Sequence, residues 1–258
     1  MKTHVIALAN HKGGVGKTTS VVNIGAGLAR AGRKVLLVDV DPQSNLTVSL
    51  GLREAPERTV YDVLAGDAEA GEAVLEHKEG FSFIPSTLDL AGAEIELQSR
   101  FGREYVLKEA LEPLLGTYEY ILLDAPPSLG LLTINALVAS TEALVPIQCE
   151  FLALHGLTKF LDIVKTVQKA NKTLKLGGVI ATRYDARKVL NRDVVETLKK
   201  NFSEVLFETM VRDNISLAEA MLAGTSVFSY APKSYGAEDY GKLVEELIQR
   251  HNSKRGTQ

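Results

Sequence analysis

The sequence predicts one α/β domain, a mostly parallel twisted sheet flanked by helices on both faces, and three observations lead to it. Short apolar runs rich in leucine and β-branched residues alternate with longer amphipathic stretches from end to end, as successive βαβ units do. The runs are too short and too uniformly apolar to be strands with a wet face, which places them in a sheet covered on both sides. The chain has 258 residues, 45% hydrophobic and 24% charged, enough for one well-buried core, whereas two domains of half that length would each be small.

The first run, His4–Ala9, follows a single lysine and superficially suggests a leader peptide. It stops at Asn10-His11-Lys12 without an extended apolar region or a cleavage site, and reads as a strand. Further strands are expected at Val35–Val38, Phe81–Ile84, Tyr120–Leu123, Ala143–Pro146, Gly178–Thr182 and Val205–Thr209. Between them, helices are expected at Lys17–Ala31, Leu107–Leu115, Leu131–Ala139, His155–Ala170, Arg192–Asn201 and Ala237–Gln249, several closed by Gly or Asn. Glu54–Gly80 is acidic, Gly/Ala-rich and weakly patterned, which fits short surface helices rather than a second domain. The domain spans residues 1–250, and the polar residues 251–258 form a tail expected to fray.

A single cysteine, Cys149, sits in the apolar stretch Leu144–Phe151. It can form neither an intramolecular disulfide nor a four-thiolate metal site, which points to a reducing compartment, a cytoplasmic protein and a small core residue. No apolar stretch approaches the roughly 20 residues that span a bilayer. His4, His11, His77, His155 and His251 are scattered, with no i,i+4 pair and no carboxylate spacing for zinc, so surface or core positions are expected for them.

The chemistry begins at Lys12-Gly13-Gly14-Val15-Gly16-Lys17-Thr18-Thr19. A strand, a glycine-rich turn and a helix opening near Lys17 put backbone N–H groups at a helix N-terminus, where the dipole and the unpaired donors favour phosphate. Gly13, Gly14, Val15 and Gly16 would supply the main-chain cradle, and Lys17 would meet the β- and γ-phosphates of ATP. Thr18 offers the hydroxyl that such loops place on Mg2+, and Thr19 can donate to the α-phosphate. The strict pattern G-x-x-x-x-G-K-[ST] is not met, because His11 stands where its first glycine belongs.

Two carboxylate-bearing segments follow. Val35-Leu36-Leu37-Val38-Asp39-Val40-Asp41-Pro42-Gln43 ends in two carboxylates two residues apart. Period-two geometry puts both on one side, at the sheet edge where ligands of open α/β sheets bind. Asp41 is the candidate for positioning the attacking water, although alone the segment fits a common strand-ending Asp-Pro turn better. Tyr120-Ile121-Leu122-Leu123-Asp124-Ala125-Pro126-Pro127 ends a third apolar run in a carboxylate, the arrangement that holds Mg2+ opposite a phosphate loop. Asp124 and Asp41 would both act on the metal through water. Many strands end in aspartate without a metal, so the force of the reading lies in three segments occurring in the expected order.

Together these residues resemble one family. K-G-G-x-G-K-T is similar to the deviant phosphate loop of the ParA/MinD branch of P-loop ATPases, and Asp39 to Gln43 resembles the D-x-D-P-Q motif of its ParA/Soj group. Asp124 to Gly130 resembles the family's switch region. Leu90-Ala91-Gly92-Ala93-Glu94-Ile95-Glu96-Leu97, Leu131-Leu132-Thr133-Ile134-Asn135-Ala136-Leu137 and Pro146-Ile147-Gln148-Cys149-Glu150 look like Soj-type chromosome-partition ATPases, and the likeness covers nearly the whole chain. The resemblance implies an ATP-sandwich homodimer in which Lys12 reaches the nucleotide of the second subunit. It makes Lys12, Lys17 and Asp41 the catalytic residues, with Asp41 serving hydrolysis rather than ATP binding. A slow turnover stimulated by a ParB-type centromere-binding protein is implied too, as is a place near the adenine for Asp213 and Asn214.

The net charge of −3 conceals an asymmetry. Lys159 to Lys200 holds eleven Lys and Arg against four Asp and Glu, a balance of +7 that leaves −10 on the rest. Clustered cations suffice for non-specific DNA binding, and a solvated helix face would show the same pattern. The resemblance assigns a DNA-binding arginine to a D-A-R triplet, here Asp185-Ala186-Arg187, with Lys188 and Arg192 beside it. Relatives commonly read I-P-R-N-V-R-L-S-E-A where this chain runs from Val211 to Ala220. Their proline is Arg212, their first arginine Asp213 and their second Ser216, which leaves Arg212 and Lys233 as substitute cations.

Rival functions leave traces that differ. A MinD-like membrane ATPase would end in a basic amphipathic helix, whereas the stripe Leu243, Val244, Leu247 and Ile248 shares its helix with Glu238, Asp239, Glu245 and Glu246 and is expected on the core. An electron-transfer ATPase like the nitrogenase iron protein needs clustered cysteines. An ATPase that positions protein cargo would share every motif. The expectation is a DNA-partitioning ATPase, nucleoid-associated and without membrane contact.

Overall fold

The structure, a computed structural model, describes residues 2–150 and 153–253. Strands β1 (His4–Leu8), β2 (Val35–Asp39), β3 (Leu75–Glu76), β4 (Ser82–Ile84), β5 (Tyr120–Asp124), β6 (Glu142–Gln148) and β7 (Lys175–Thr182) form one sheet in the order β3-β4-β2-β5-β1-β6-β7. All neighbours are parallel except β3 and β4. The helices are α1 (Lys17–Arg30), α2 (Asn45–Ser49), α3 (Val60–Ala65), α4 (Leu90–Leu97), α5 (Val106–Leu111) and α6 (Leu131–Ala139). They continue with α7 (Ala153–Val167), α8 (Val189–Phe202), α9 (Ile215–Leu222), α10 (Val227–Tyr230) and α11 (Tyr235–Ser253).

The expected three layers are present. Strand residues alternate between two cores: in β1, Ile6 and Leu8 face α1, α2, α9, α10 and α11, while Val5 and Ala7 face the layer of α3 to α8. The chain runs outward from β1 through β2 and β4, returns to insert β5, and leaves on the other side through β6 and β7. The C-terminal end of β1 therefore lies where the strand order changes direction, the place at which open α/β sheets bind ligands.

Helix α1 buries Val21, Val22, Ile24 and Leu28. It meets α11 at Gly27, where a Cβ would lie 2.7 Å from Val244 Cγ2. Leu243, Val244 and Leu247 are buried there, so the apolar stripe of the C-terminal helix is core, as its acidic neighbours suggested. No helix among the described residues is long and apolar enough to cross a membrane.

Several elements depart from expectation. Val205–Thr209 is not a strand: Leu206 alone bridges Val179. The pairing is interrupted at Glu208 and Thr209, whose amides donate to the Glu246 carboxylate at 3.0 and 3.1 Å, and resumes at Val211, whose N–H donates to Ala181 O at 2.9 Å. Within Glu54–Gly80 the capped helix α3 is joined by a two-residue strand, β3, that pairs antiparallel with β4. Helices α4 and α9 were not foreseen as helices. At the C-terminus α11 runs on to Ser253 and buries His251, whose ring stacks on His4 at 4.0 Å, so residue 251 belongs to the domain and not to a fraying tail. Residues 254–258 lie outside the described residues.

Candidate nucleotide site

The phosphate loop leaves β1 and enters α1 through Gly14 and Gly16, whose φ values of 74° and 87° lie in the left-handed region that a Cβ disfavours. Asn10 anchors the start of the loop, donating to Pro146 O at 2.8 Å and accepting from the Lys12 N–H at 3.1 Å. Thr182, the last residue of β7, donates to Val15 O at 2.8 Å. No side chain caps α1, whose N-cap is Gly16. An uncapped helix start wrapped in a fixed main-chain loop is an anion site by construction.

Lys17, Asp41 and Asp124 converge on this loop. Lys17 is buried and its ammonium reaches Lys12 O at 3.4 Å. Burial lowers its pKa, opposed by attraction from Asp124 and Asp41. Asp124 ends β5 in register with Leu8 of β1 and Asp39 of β2. Both its carboxylate oxygens are buried without a hydrogen-bond partner among the described residues. Burial and then repulsion from Asp39 push this carboxyl well above its ordinary range, while the Thr18 hydroxyl and Lys17 act in the other direction. Asp41 lies just beyond β2, where its carboxylate accepts the Gln43 N–H at 2.9 Å.

Asp39 and Asp41 share an end of β2 but differ in surroundings. Asp39 is held by the Thr47 N–H and hydroxyl at 2.9 and 2.7 Å and by the Asp41 N–H at 3.2 Å. Its carboxyl is pushed up to about 7, chiefly by burial. Its acceptors are thus taken up in anchoring α2, which leaves Asp41 as the carboxylate of this pair that borders the loop.

Beside the loop lies a cavity of about 490 Å3, with Gly14, Gly16 and Thr19 on one wall and Asp213, Asn214 and Ile215 on another. Asn214 is the N-cap of α9, accepting the Ser216 N–H at 2.9 Å, and Asp213 pairs with Arg183 at 3.4 Å. The Thr19 hydroxyl donates to Met221 Sδ at 3.1 Å. A phosphate cradle opening into a cavity of this size is what a mononucleotide requires.

Comparison with known proteins agrees with this geometry. A family model described as an AAA domain matches residues 3–176. The chain is 48% identical over 246 residues to the sporulation initiation inhibitor protein Soj of Bacillus subtilis, covering 94% of this chain and 97% of that one. It is 44% identical to the chromosome-partitioning ATPase Soj of Treponema pallidum, over 96% of this chain and 98% of that one. Among solved structures it resembles one described as cobyrinic acid a,c-diamide synthase from Mycobacterium smegmatis with bound ADP and magnesium, at a TM-score of 0.85 and 40% identity over 98% and 96% of the two chains. This chain belongs to the ParA/Soj family of partition ATPases.

The lysine that distinguishes ParA/Soj loops is paired within the chain: Lys12 Nζ lies 2.7 Å from Glu150 Oε2, and both side chains are exposed to solvent. The cations expected to meet DNA differ in their surroundings. Arg187 is 91% exposed and paired with Asp185 at 2.9 Å, whose carboxyl this contact lowers to about 2. Lys188 stands at the N-cap of α8, Arg192 donates to Ala186 O at 2.7 Å, and both are exposed, as is Lys233. Arg212 sits beside this group through the pairing of its own strand segment with Tyr184. Its guanidinium, however, is paired with Asp239 and Glu238 and lies over the Tyr235 ring, so two carboxylates already match its charge.

Other residues of the site escape sequence reasoning. Glu150 belongs to a run that marked the family, yet its pairing with Lys12 spans 138 residues. Thr47, Thr182 and Arg183 carry no motif of their own; Arg183 is recognisable only by its left-handed backbone, with φ of 51°. At the opposite sheet edge His4, Glu142 and His251 gather. The two imidazoles are parallel within 8°, so their in-plane lone pairs do not converge on one ion, and the contact is one of packing.

Proposed function

We propose that this chain is a Mg2+-dependent ATPase that closes as an ATP-sandwich homodimer, binds DNA without sequence preference in that state, and is released when a ParB-type centromere-binding protein stimulates its slow hydrolysis. The observation that carries the reading is the buried, unpartnered Asp124 carboxylate beside Thr18 and Lys17 at an uncapped helix N-terminus. A buried carboxylate, a hydroxyl and an ammonium grouped at such a terminus fit a cation and its phosphate. Thr18 directly, and Asp41 and Asp124 through water, are the residues that would hold Mg2+, which supplies charge neutralisation at the phosphate oxygens.

Lys17 and the N–H groups of Gly13 to Gly16 stabilise charge on the β- and γ-phosphates. Asp41 orients the attacking water. Thr19 turns from Met221 to the α-phosphate, and Asp213 and Asn214 flank the adenine in the adjoining cavity. Lys12, exposed at the mouth of the site, exchanges Glu150 for the nucleotide of the second subunit.

Arg187, Lys188, Arg192 and Lys233 are the cations that meet DNA phosphates and associate the protein with the nucleoid, while Arg212 is tied to Asp239 and Glu238 of α11. An ATPase for protein cargo would use the same ATP chemistry; the exposed cations favour a polyanion. The test is anisotropy of a labelled duplex at rising salt with ATP and Mg2+. Binding should weaken steeply, with a slope near −0.9 for each phosphate contacted, and Arg187→Glu should lower both affinity and slope. Binding that is absent or indifferent to salt would overturn the DNA reading.

A further inference from the structure

Two of the runs that mark this family, Leu90–Leu97 and Leu131–Leu137, have no part in the nucleotide chemistry described above, and they meet at one contact. The Glu94 carboxylate on α4 accepts the main-chain N–H of Leu131, the first residue of α6, at 2.6 Å. The N-cap of α6 is Gly130, which has no side chain to cap the helix. Glu94 supplies from 37 residues away the acceptor that an N-cap side chain ordinarily gives. The approach is so close that a Cβ on Gly130 would overlap the Glu94 carboxylate. With φ of −81° and ψ of −171° any residue could adopt the Gly130 backbone, so the glycine is there for space.

Helix α4 is a strut between the two catalytic strand ends. Just before it, Ser86 donates its hydroxyl to Asp41 O at 3.0 Å and its N–H to the Thr47 hydroxyl at 2.9 Å, and Thr47 in turn holds Asp39. Leu90, Ala93 and Leu97 lock the helix into the core. At the far end Glu94 grips the start of α6, and the segment running there from Asp124 is braced by Thr133, whose hydroxyl donates to Ser128 O at 2.7 Å.

We propose that Glu94 is a positioning residue of the ATPase: the paired strands β2 and β5 already set Asp124 against Asp39, and through α4 Glu94 holds the segment that follows Asp124, residues 125–131, against the end of β2 in the geometry that hydrolysis requires. The inference rests on the ATPase reading above. Reacting groups tolerate little misplacement, since a shift of about 1 Å costs on the order of 100-fold in rate.

The test compares Glu94→Ala, Glu94→Gln, Gly130→Ala and the Glu94→Ala/Gly130→Ala pair in the full chain. It reads kcat and KM for ATP with Mg2+ and DNA, and hydrogen exchange of the amides from 125 to 131 without nucleotide. Glu94→Ala and Gly130→Ala should each lower kcat about tenfold, with KM within about twofold of the wild type. Glu94→Gln, whose amide oxygen can still accept the Leu131 N–H, should stay within about twofold. The pair should be no worse than Glu94→Ala alone, because the added methyl has room once the carboxylate is gone. The Leu131 amide should exchange faster in both alanine variants. An unchanged kcat or unchanged exchange in Glu94→Ala, a KM that rises in step, a Gln variant as impaired as the Ala variant, or additive losses in the pair would each overturn the positioning role alone. A wild-type protein that hydrolyses no ATP overturns the ATPase reading, and this role with it.

Discussion

Replacing Asp124 by asparagine should make the protein more stable and at the same time deaf to Mg2+. The carboxylate is fully buried, neither oxygen has a hydrogen-bond partner among the described residues, and Asp39 and Asp41 both repel it. A buried polar group left unsatisfied costs about 1–3 kcal/mol, and more when charged. Asparagine keeps the shape and sheds the charge. Two favourable contacts are weakened, that of the Thr18 hydroxyl with the carboxylate and the attraction that helps to keep Lys17 protonated, and Asp41 remains to supply part of the second. The balance is a gain of about 1–2 kcal/mol, which for a chain of this length raises Tm by about 2–8 °C. Calorimetry in EDTA measures the first effect. In the second, ADP with Mg2+ at 100 times its Kd should stabilise the wild type by about 2.7 kcal/mol through linkage, whereas the variant should gain no more with Mg2+ than with ADP alone. A variant that melts at or below the wild type in EDTA, or one that keeps the Mg2+ increment, would refute the account of Asp124 as a buried carboxylate that serves Mg2+.

Two further outcomes follow from the site. Asp41→Ala should retain ATP binding and lose hydrolysis, so that a dimer persists on gel filtration with ATP long after the wild type has returned to monomer; normal turnover would remove Asp41 as the water-orienting group. Cys149 is buried and its thiol is pushed up to about 11 by that burial. The thiolate is then about one part in a thousand at pH 8, and a thiol reagent should label the protein only in denaturant, so rapid labelling of the native fold would show that β6 opens at its end.

Most of the sheet was legible because the strands covered on both faces read as unbroken apolar runs, and such runs need no partner to be recognised. Elements fixed by one long-range contact were not. Leu75–Glu76 is a strand only because β4 lies beside it. Val205–Thr209 has the composition of a strand, and Glu246 of α11 takes the Glu208 and Thr209 amides, which interrupts the pairing with β7. In the site, the main-chain cradle and the strand-end carboxylates were readable, since the loop, Asp41 and Asp124 each follow an apolar run at fixed spacing. What spacing could not show is which carboxylate is already occupied. Asp39 and Asp41 look equivalent in sequence, and only Thr47 separates them.

Arg212 shows how one substitution can change the use of a neighbourhood. The commonly shared residue there is proline, which has no N–H to donate, whereas the Arg212 N–H donates to Asp239 Oδ2 at 2.9 Å and its side chain pairs with the same carboxylate and with Glu238. Residue 212 is thereby tied to α11, and α11 is in turn fixed on α1, the helix that opens with Lys17. A cation that by position could have joined Arg187 and its neighbours instead secures the wall that presents Asp213 and Asn214 to the cavity. The basic segment from Lys159 to Lys200 keeps its excess charge without it, so Arg212 serves the wall of the cavity while Arg187, Lys188 and Arg192 remain the exposed cations at the start of α8.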